Sequence, residues 1–151
     1  GLYMEINGVL LCELSSHFAD ELKTAAIECN LSVNQAKVLL SVGVYDKNVL
    51  TQKDIAKICV TDTPAMSRTI DKLEELGFIE RTRSDEDSRC VKIALTDEGE
   101  KQRVILVERA SEAFNKIFYR LTEKEKKTLV ALLVKASSGN DVIGEFMKNM
   151  N

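Results

Sequence analysis

Apolar residues recur at helical spacing in the first thirty positions of the chain. Between about residue 6 and residue 29 they fall three or four positions apart, which predicts one long helix. The members of this stripe are Ile6, Leu10, Leu14, Phe18, Leu22 and Ala25. A second helix is predicted from Ser32, because Ser32 and Gln35 have the spacing of a capping box, and Gly43 is expected to end it.

The next stretch predicts two shorter helices joined by a tight turn. Thr51 and Asp54 form another capping-box pattern and open the first of them. The second is expected to have Thr63 as its N-cap and Pro64 at its first helical position, where a missing amide hydrogen costs nothing. Its apolar stripe consists of Met66, Ile70, Leu73 and Leu76. Gly77 is expected to end this helix in the left-handed conformation.

Two strand-like segments follow that glycine. Residues 78–83 and 90–95 are rich in residues that favour strands, and the six polar residues 84–89 lie between them. A helix, a glycine, a strand, a charged tip and a second strand make a winged helix-turn-helix. The predicted fold class is therefore mostly α with a small β-hairpin wing.

The rest of the chain predicts further helices. Thr96 is expected to cap a long one, Thr122 and Glu125 form a capping box for the next, and residues 142–150 predict a last short amphipathic helix. The predicted apolar face of the long helix contains Val104, Val107, Ala110, Phe114, Ile117, Phe118 and Leu121. The first helix and these later ones have more apolar surface than one winged helix covers, which favours a homodimer. The alternative is a monomeric six-helix bundle with a hairpin.

Several motifs, in this order, resemble those of the MarR family of bacterial transcription regulators. They are residues 50–56 (LTQKDIA), 67–68 (SR), 73–81 (LEELGFIER), 87–89 (DSR) and 95–99 (LTDEG). The resemblance implies a single domain over residues 1–151, with a DNA-reading lobe at about 32–95 and a dimerisation lobe at about 5–30 and 96–150. It also implies a short strand at Val49-Leu50 that completes the wing sheet.

The helix from Thr63 carries the candidate contacts to double-stranded DNA. Arg68 is expected to contact guanine with two hydrogen bonds, or else to clamp a phosphate; the alternative is an ion pair with Asp62 or Asp71. The exposed amides at the start of the helix suit a phosphate or a groove edge. The other candidate contacts in and after this helix are Thr63, Pro64, Ala65, Ser67, Thr69, Lys72 and Arg83.

The wing tip supplies the remaining candidates. Arg89 is expected in the minor groove, where narrow A·T-rich tracts concentrate negative potential. Asp87 is expected to brace its guanidinium, since the family's Asp-x-Arg element matches here; the alternative is a surface ion pair without further role. A homodimer would read two half-sites about one turn of DNA apart, which predicts a pseudo-palindromic operator and, from the resemblance, a repressor.

Charge complicates this interpretation. The 151 residues carry a net charge of −3, and residues 63–92 hold six basic and seven acidic side chains. The placement of charge must therefore matter more than its total, and we expect Arg68, Lys72, Arg83 and Arg89 to face one way. No apolar run approaches the ~20 residues of a membrane span, so we expect a cytoplasmic protein without membrane partners.

Regulation and rival functions rest on fewer residues. The resemblance implies a small anionic or phenolic ligand, but some family members instead sense peroxides through a first-helix cysteine, which makes Cys12 a candidate redox site. The segment after Cys12 lacks the aromatic residues those sensors carry. With His17 the single histidine, we expect no metal site and no cofactor. The remaining alternatives are a thiol enzyme using Cys12 and His17 and a winged helix used only for protein contacts.

Overall fold

The computed structural model describes residues 1–44, 50–59, 61–83 and 91–136. These residues form six helices and one antiparallel hairpin. In chain order they are α1 (Leu2–Glu28), α2 (Val33–Val44), α3 (Gln52–Cys59), α4 (Thr63–Glu75), β1 (Ile79–Arg83), β2 (Val91–Leu95), α5 (Asp97–Ile117) and α6 (Glu123–Ala136). The mostly helical fold with a small hairpin is confirmed. The helix predicted at residues 142–150 lies outside the described residues.

Local hydrogen bonds begin three of the helices as the sequence predicts. Before α3, the amide of Thr51 donates to Asp54 Oδ2 at 3.1 Å and the amide of Asp54 donates to Thr51 Oγ1 at 3.2 Å. The same reciprocal pair joins Ser32 and Gln35 before α2, and joins Thr122 and Glu125 before α6. Each box satisfies amides that have no partner inside the helix.

The core lies between α2, α3, α4, the hairpin and the first half of α5. Its largest fully buried side chains are Val38, Leu39, Ile55, Met66, Ile70, Leu73, Ile79, Ile93 and Leu106. The apolar stripe of α4 thus packs inward through Met66, Ile70 and Leu73, while Leu76, the fourth predicted member, is exposed at the C-cap. Gly77 has φ +79° and ends the helix as predicted.

The hairpin is joined to the start of α3. β1 pairs with β2 in a register that runs from Ile79 opposite Leu95 to Arg83 opposite Val91. The amide of Ile93 donates to the Leu50 carbonyl at 2.8 Å, and Thr51 forms a single bridge to Lys92. The predicted third strand is thus one bridge at Thr51; Val49 lies outside the described residues.

One prediction about the helices is wrong. Gly43 does not end α2, which continues through it to Val44. On α5 the side that packs inward contains Leu106 and Ala113, whereas Val104 and Val107, members of the predicted apolar face, are exposed. Helical periodicity located an apolar stripe, but the stripe covers more than the side that faces this chain's own core.

Large apolar side chains remain exposed on three helices. In α1 only the C-terminal part of the predicted stripe is buried, at Leu22 and Ala25. The exposed large apolar side chains are Tyr3, Met4, Ile6, Val9, Leu10, Leu11, Leu14 and Ile27 on α1, Val104, Ile105 and Val107 on α5, and Val130, Leu132 and Leu133 on α6. Within the described ranges, no helix is both long and apolar enough to cross a membrane.

Candidate DNA-binding surface

The start of α4 differs from the prediction by one residue. Asp62, not Thr63, is the N-cap, and its Oδ1 accepts a hydrogen bond from the amide of Ala65 at 2.8 Å. Thr63 is the first helical residue and Pro64 the second. Aspartate is as good an N-cap as threonine, and its carboxylate also complements the helix dipole. The amide of Ala65 is therefore already satisfied, and a negative charge lies where a phosphate was expected.

The exposed side of α4 lies opposite its buried stripe. We call Pro64, Arg68, Asp71 and Glu75 the outer face of α4; all four are exposed. Of the other predicted contacts, Thr63 and Lys72 are exposed, and Ala65 and Ser67 are half-buried.

Thr69 does not belong to this surface. Its side chain is only 9% exposed, and its Oγ1 donates to the Ala65 carbonyl at 2.9 Å. It lies one turn before Leu73, on the flank of the buried stripe, and its hydroxyl is satisfied within the helix. The burial of its side chain argues against the predicted contact of Thr69 with DNA.

Two of the three acidic side chains of α4 share one arginine from the hairpin. The guanidinium of Arg81, on β1, donates to Glu74 Oε1 from Nη1 at 3.0 Å and to Asp71 Oδ1 from Nη2 at 2.5 Å. The Arg81 side chain is 24% exposed, less than either carboxylate. We call these three residues the Arg81 clamp. It fixes β1 against α4 and neutralises part of the negative charge of the helix.

The third acid, Glu75, is paired within the helix. Its Oε1 lies 3.5 Å from Lys72 Nζ, and both side chains are at least half exposed. Such a pair contributes about 0–1 kcal/mol, so Lys72 is readily available to a stronger anionic partner. Arg68 forms no ion pair with Asp62, Asp71 or any other carboxylate in the described part of the chain. Among the described residues, Arg68 is thus the cation of α4 that projects from the outer face without a carboxylate partner.

The hairpin carries the remaining predicted contacts. Arg83 is exposed at the end of β1, directly before the tip. Asp87 and Arg89 lie outside the described residues, as does Cys90. The structure therefore describes three of the four side chains that were expected to face one way, namely Arg68, Lys72 and Arg83. All three are exposed.

The described cysteines differ in their surroundings. Cys12 is exposed on α1, where the neighbouring Glu13 pairs with His17 at 3.7 Å. Burial raises the pKa of Cys59, against a smaller opposing effect of the Ser41 hydroxyl 3.6 Å from its sulfur. Burial also raises the pKa of Cys29, while Arg109 lowers it. Cys12 and Cys29 lie about 25 Å apart along one helix, too far for a disulfide within the chain.

An open cleft lies between α1 and α5. Its volume is about 230 Å³, and two ion pairs cross it, Glu21 with Lys116 at 2.9 Å and Glu28 with Arg109 at 3.0 Å. The cleft is lined by Glu21, Thr24, Ala25, Glu28, Arg109, Glu112, Ala113 and Lys116. Both cations are therefore compensated by carboxylates of the chain itself.

A short helix, a turn, a second helix with an exposed outer face, and an antiparallel hairpin define a winged helix-turn-helix protein. Comparison with known sequences identifies the family within this class of protein. The family model described as MarR family matches residues 31–91. The HTH-type transcriptional regulator YwhA of Bacillus subtilis is 33% identical over 103 residues, which cover 68% of this chain and 74% of YwhA. The chain belongs to the MarR family and is a DNA-binding transcriptional regulator; members of this family are not enzymes.

Solved structures give the same fold. A cysteine-to-serine mutant of MarR from E. coli, solved in complex with operator DNA, has a TM-score of 0.70 at 25% identity and covers 91% of this chain and 99% of its own. CouR from Rhodococcus jostii RHA1, solved with bound p-coumaroyl-CoA, has a TM-score of 0.73 at 25% identity. The match covers 83% of this chain and 87% of CouR. The winged-helix prediction is thereby confirmed.

Proposed function

We propose that this regulator is a homodimeric repressor that binds a pseudo-palindromic operator and is modulated by a small ligand. In each subunit α4 is the recognition helix and the hairpin is the wing. The proposed contacts to DNA are Thr63, Pro64, Ala65, Ser67, Arg68, Lys72, Arg83, Asp87 and Arg89. The proposed reading lobe covers about residues 32–95, and residues of about 5–30 and 96–150 form the dimerisation lobe.

The observation that carries this proposal is the charge arrangement on α4. All three of its acids are paired, two by Arg81 and one by Lys72, while Arg68 projects unpaired within the described chain. An arginine that projects from the exposed side of a helix has the reach and the geometry to contact guanine in the major groove. The overall charge of −3 is compatible with DNA binding because the acids of this helix are compensated locally.

The exposed apolar side chains support a second subunit. Seven of them lie on the first 14 residues of the chain, and contiguous apolar surface of this kind marks an interaction site. A second copy is the proposed occupant, because two recognition helices in one particle are needed to read a two-part operator. The exposed residues of α5 and α6 are proposed to belong to the same interface.

Ligand modulation is proposed from a relative. CouR binds p-coumaroyl-CoA, and this chain is proposed to bind an anionic or phenolic compound of its own. Such a compound changes operator affinity only if it binds one arrangement of the two recognition helices better than another. A thermal-shift titration with p-coumaroyl-CoA is the first test, since a ligand at 100 times its Kd stabilises a folded protein by about 2.7 kcal/mol.

Fluorescence anisotropy tests the DNA-binding part of the proposal. The wild-type protein is titrated into a labelled mixed-sequence duplex at two salt concentrations. Binding through phosphates releases counterions, so the affinity is expected to fall as salt rises, with a slope of about −0.9 per phosphate contacted. A winged helix used only for protein contacts predicts no binding at either salt concentration.

A further inference from the structure

Two hydrogen bonds join the residues that follow α4 to the start of α5. Thr96 Oγ1 donates to the Gly77 carbonyl at 2.5 Å, and the amide of Thr96 donates to the Phe78 carbonyl at 3.1 Å. The same hydroxyl accepts the amide of Gly99 at 3.0 Å, which caps α5. One threonine therefore caps the long helix and holds the backbone that leaves α4.

Gly99 lets the two backbones approach closely. A Cβ added at Gly99 would lie 1.8 Å from the Phe78 carbonyl oxygen, far inside van der Waals contact. The obstruction is backbone, so no rotation of a side chain relieves it. We call Gly77, Phe78, Thr96 and Gly99 the α4–α5 joint.

The next turn of α5 holds the two preceding helices. Gln102 Nε2 donates to the Cys29 carbonyl at the end of α1 at 3.1 Å. The side chain of Arg103 passes over Gly43 in α2, where an added Cβ would lie 1.6 Å from Arg103 Cδ. Leu106, one turn further, is fully buried. The first turns of α5 therefore contact the ends of α1, α2 and α4.

We propose that the α4–α5 joint fixes the orientation of the recognition helix relative to α5, and that it thereby sets the half-site spacing that the dimer reads. This inference rests on the proposed function. In a symmetric dimer built on the long helices, the separation of the two recognition helices depends on how each is held against its own α5. Thr96 and Gly99 are positioning residues and do not touch DNA.

DNA geometry makes spacing a sensitive readout. Each base pair inserted between two half-sites moves them apart by about 3.4 Å and rotates one about the axis by about 35°. A rigidly held pair of recognition helices tolerates neither change. A loosened joint lets each helix follow its half-site, so spacing preference is lost while contacts within a half-site remain.

The experiment uses duplexes that the wild-type protein recovers from a random 40-base-pair pool. The recovered sequence is resynthesised with one or two base pairs inserted or removed at its centre, and with only one half-site. Wild type is expected to lose at least about fivefold in affinity for each altered spacing, the size of one mismatched base pair. Gly99→Ala is expected to flatten or displace this profile of affinity against half-site spacing. Its affinity for the single half-site is expected to stay within about twofold of the wild-type value.

Matched variants separate the joint from general damage. Thr96→Val removes both hydrogen bonds of the hydroxyl without adding bulk, and it should flatten or displace the profile in the same way. It provides the test if Gly99→Ala does not fold. Thr96→Ser retains the hydroxyl and should restore the wild-type profile. An unchanged profile in both Gly99→Ala and Thr96→Val overturns the proposal.

A second measurement needs no DNA. Spin labels are attached at Glu75→Cys on α4 and Glu108→Cys on α5, in a background without the four native cysteines. They report the distance between these two helices. Dilution of labelled protein with unlabelled protein ensures that both labels of a measured pair lie in one chain. A single narrow distribution that broadens or moves in Thr96→Val supports the joint, and an unchanged distribution contradicts it. If the wild-type protein recovers no duplex from the pool, the proposed function is contradicted. The distance between the two spin labels still decides whether the joint holds α4 against α5.

Discussion

Nη2 of Arg81 lies 2.5 Å from Oδ1 of Asp71, which ties the first strand of the wing to the outer face of α4. The same guanidinium binds Glu74, so one cation compensates two carboxylates. Because Asp71 lies on the outer face, its charge would otherwise oppose the approach of DNA phosphates. The clamp therefore acts on the electrostatics of the surface as well as on the position of the wing.

Replacing Arg81 by Met should weaken DNA binding. The substitution leaves Asp71 and Glu74 uncompensated beside the proposed contacts, so affinity is expected to fall at low salt and to recover partly as salt screens the repulsion. The stability cost should be small, about 1 kcal/mol or less, since both carboxylates are well exposed. Anisotropy titrations and thermal unfolding measure the two effects separately.

Lys101→Met is the matched control for Arg81→Met. It removes the cation of another exposed ion pair, with Glu98 on α5, and should leave DNA affinity nearly unchanged. Adding Asp71→Asn and Glu74→Gln to Arg81→Met should restore much of the lost affinity. Equal affinity of Arg81→Met and wild type would show that the clamp does not affect DNA binding.

Arg68→Ala should reduce affinity for selected operator DNA by about 1–3 kcal/mol and relax the preference at one base pair. Its stability should match wild type, because the side chain is exposed and forms no ion pair with a described residue. Arg120→Ala, which removes an arginine stacked on Tyr119 beyond α5, is the control and should bind as wild type does. A uniform loss on all sequences would instead make Arg68 a phosphate contact.

Arg89→Ala should lower the salt dependence of binding by about one counterion. The expectation comes from the position of Arg89 in the polar tip and from the neighbouring Asp87. The measurement is the slope of log affinity against log salt for wild type and variant. Identical slopes and affinities would remove Arg89 from the proposed surface.

Leu10→Glu should separate the proposed dimer. Burying a leucine stabilises an interface by about 1.5–3 kcal/mol, and two-fold symmetry counts it twice, so the dimer Kd should rise at least about 100-fold. Leu76→Glu makes the same change at an exposed position of the reading lobe, the C-cap of α4, and should leave the dimer intact. Sedimentation velocity distinguishes the outcomes, and a wild type that is monomeric at micromolar concentration would contradict the proposal.

The thiols should react in a fixed order at neutral pH. Cys12 is exposed, whereas burial raises the pKa of Cys59 above its ordinary value of 9.0, which keeps that thiol protonated. Cys59 therefore has no effect on the pH dependence of stability below about pH 9.0 and lowers stability above it, because the unfolded chain ionises first. Mass spectrometry after brief alkylation should find Cys12 modified and Cys59 intact. Peroxide treatment, followed by operator binding by wild type and Cys12→Ser, tests redox sensing.

Local rules account for what the sequence predicted correctly. The three capping boxes at Ser32, Thr51 and Thr122 depend on residues three apart, so their hydrogen bonds could be inferred from spacing alone. The same rules do not choose between two adjacent good caps, and α4 begins at Asp62 where Thr63 was expected.

Contacts distant in sequence were not predictable from spacing. Arg81 was visible as a basic residue and part of a motif, but no helical or strand period connects it to Asp71. The approach of Gly99 to Phe78 depends on how two helices and a hairpin meet. Apolar periodicity likewise could not separate the side of α5 that packs inward at Leu106 from the side left exposed at Val104.

Sequencing of the duplexes that the wild-type protein selects from a random pool tests the central claim most directly. Two recognition helices related by a two-fold axis should enrich an inverted repeat with half-sites about one turn, or about 10 base pairs, apart. The enriched repeat should be bound with a strong salt dependence. A pool that stays random after repeated selection, or that enriches one unrepeated half-site, would contradict the claim that this protein reads DNA as a symmetric pair.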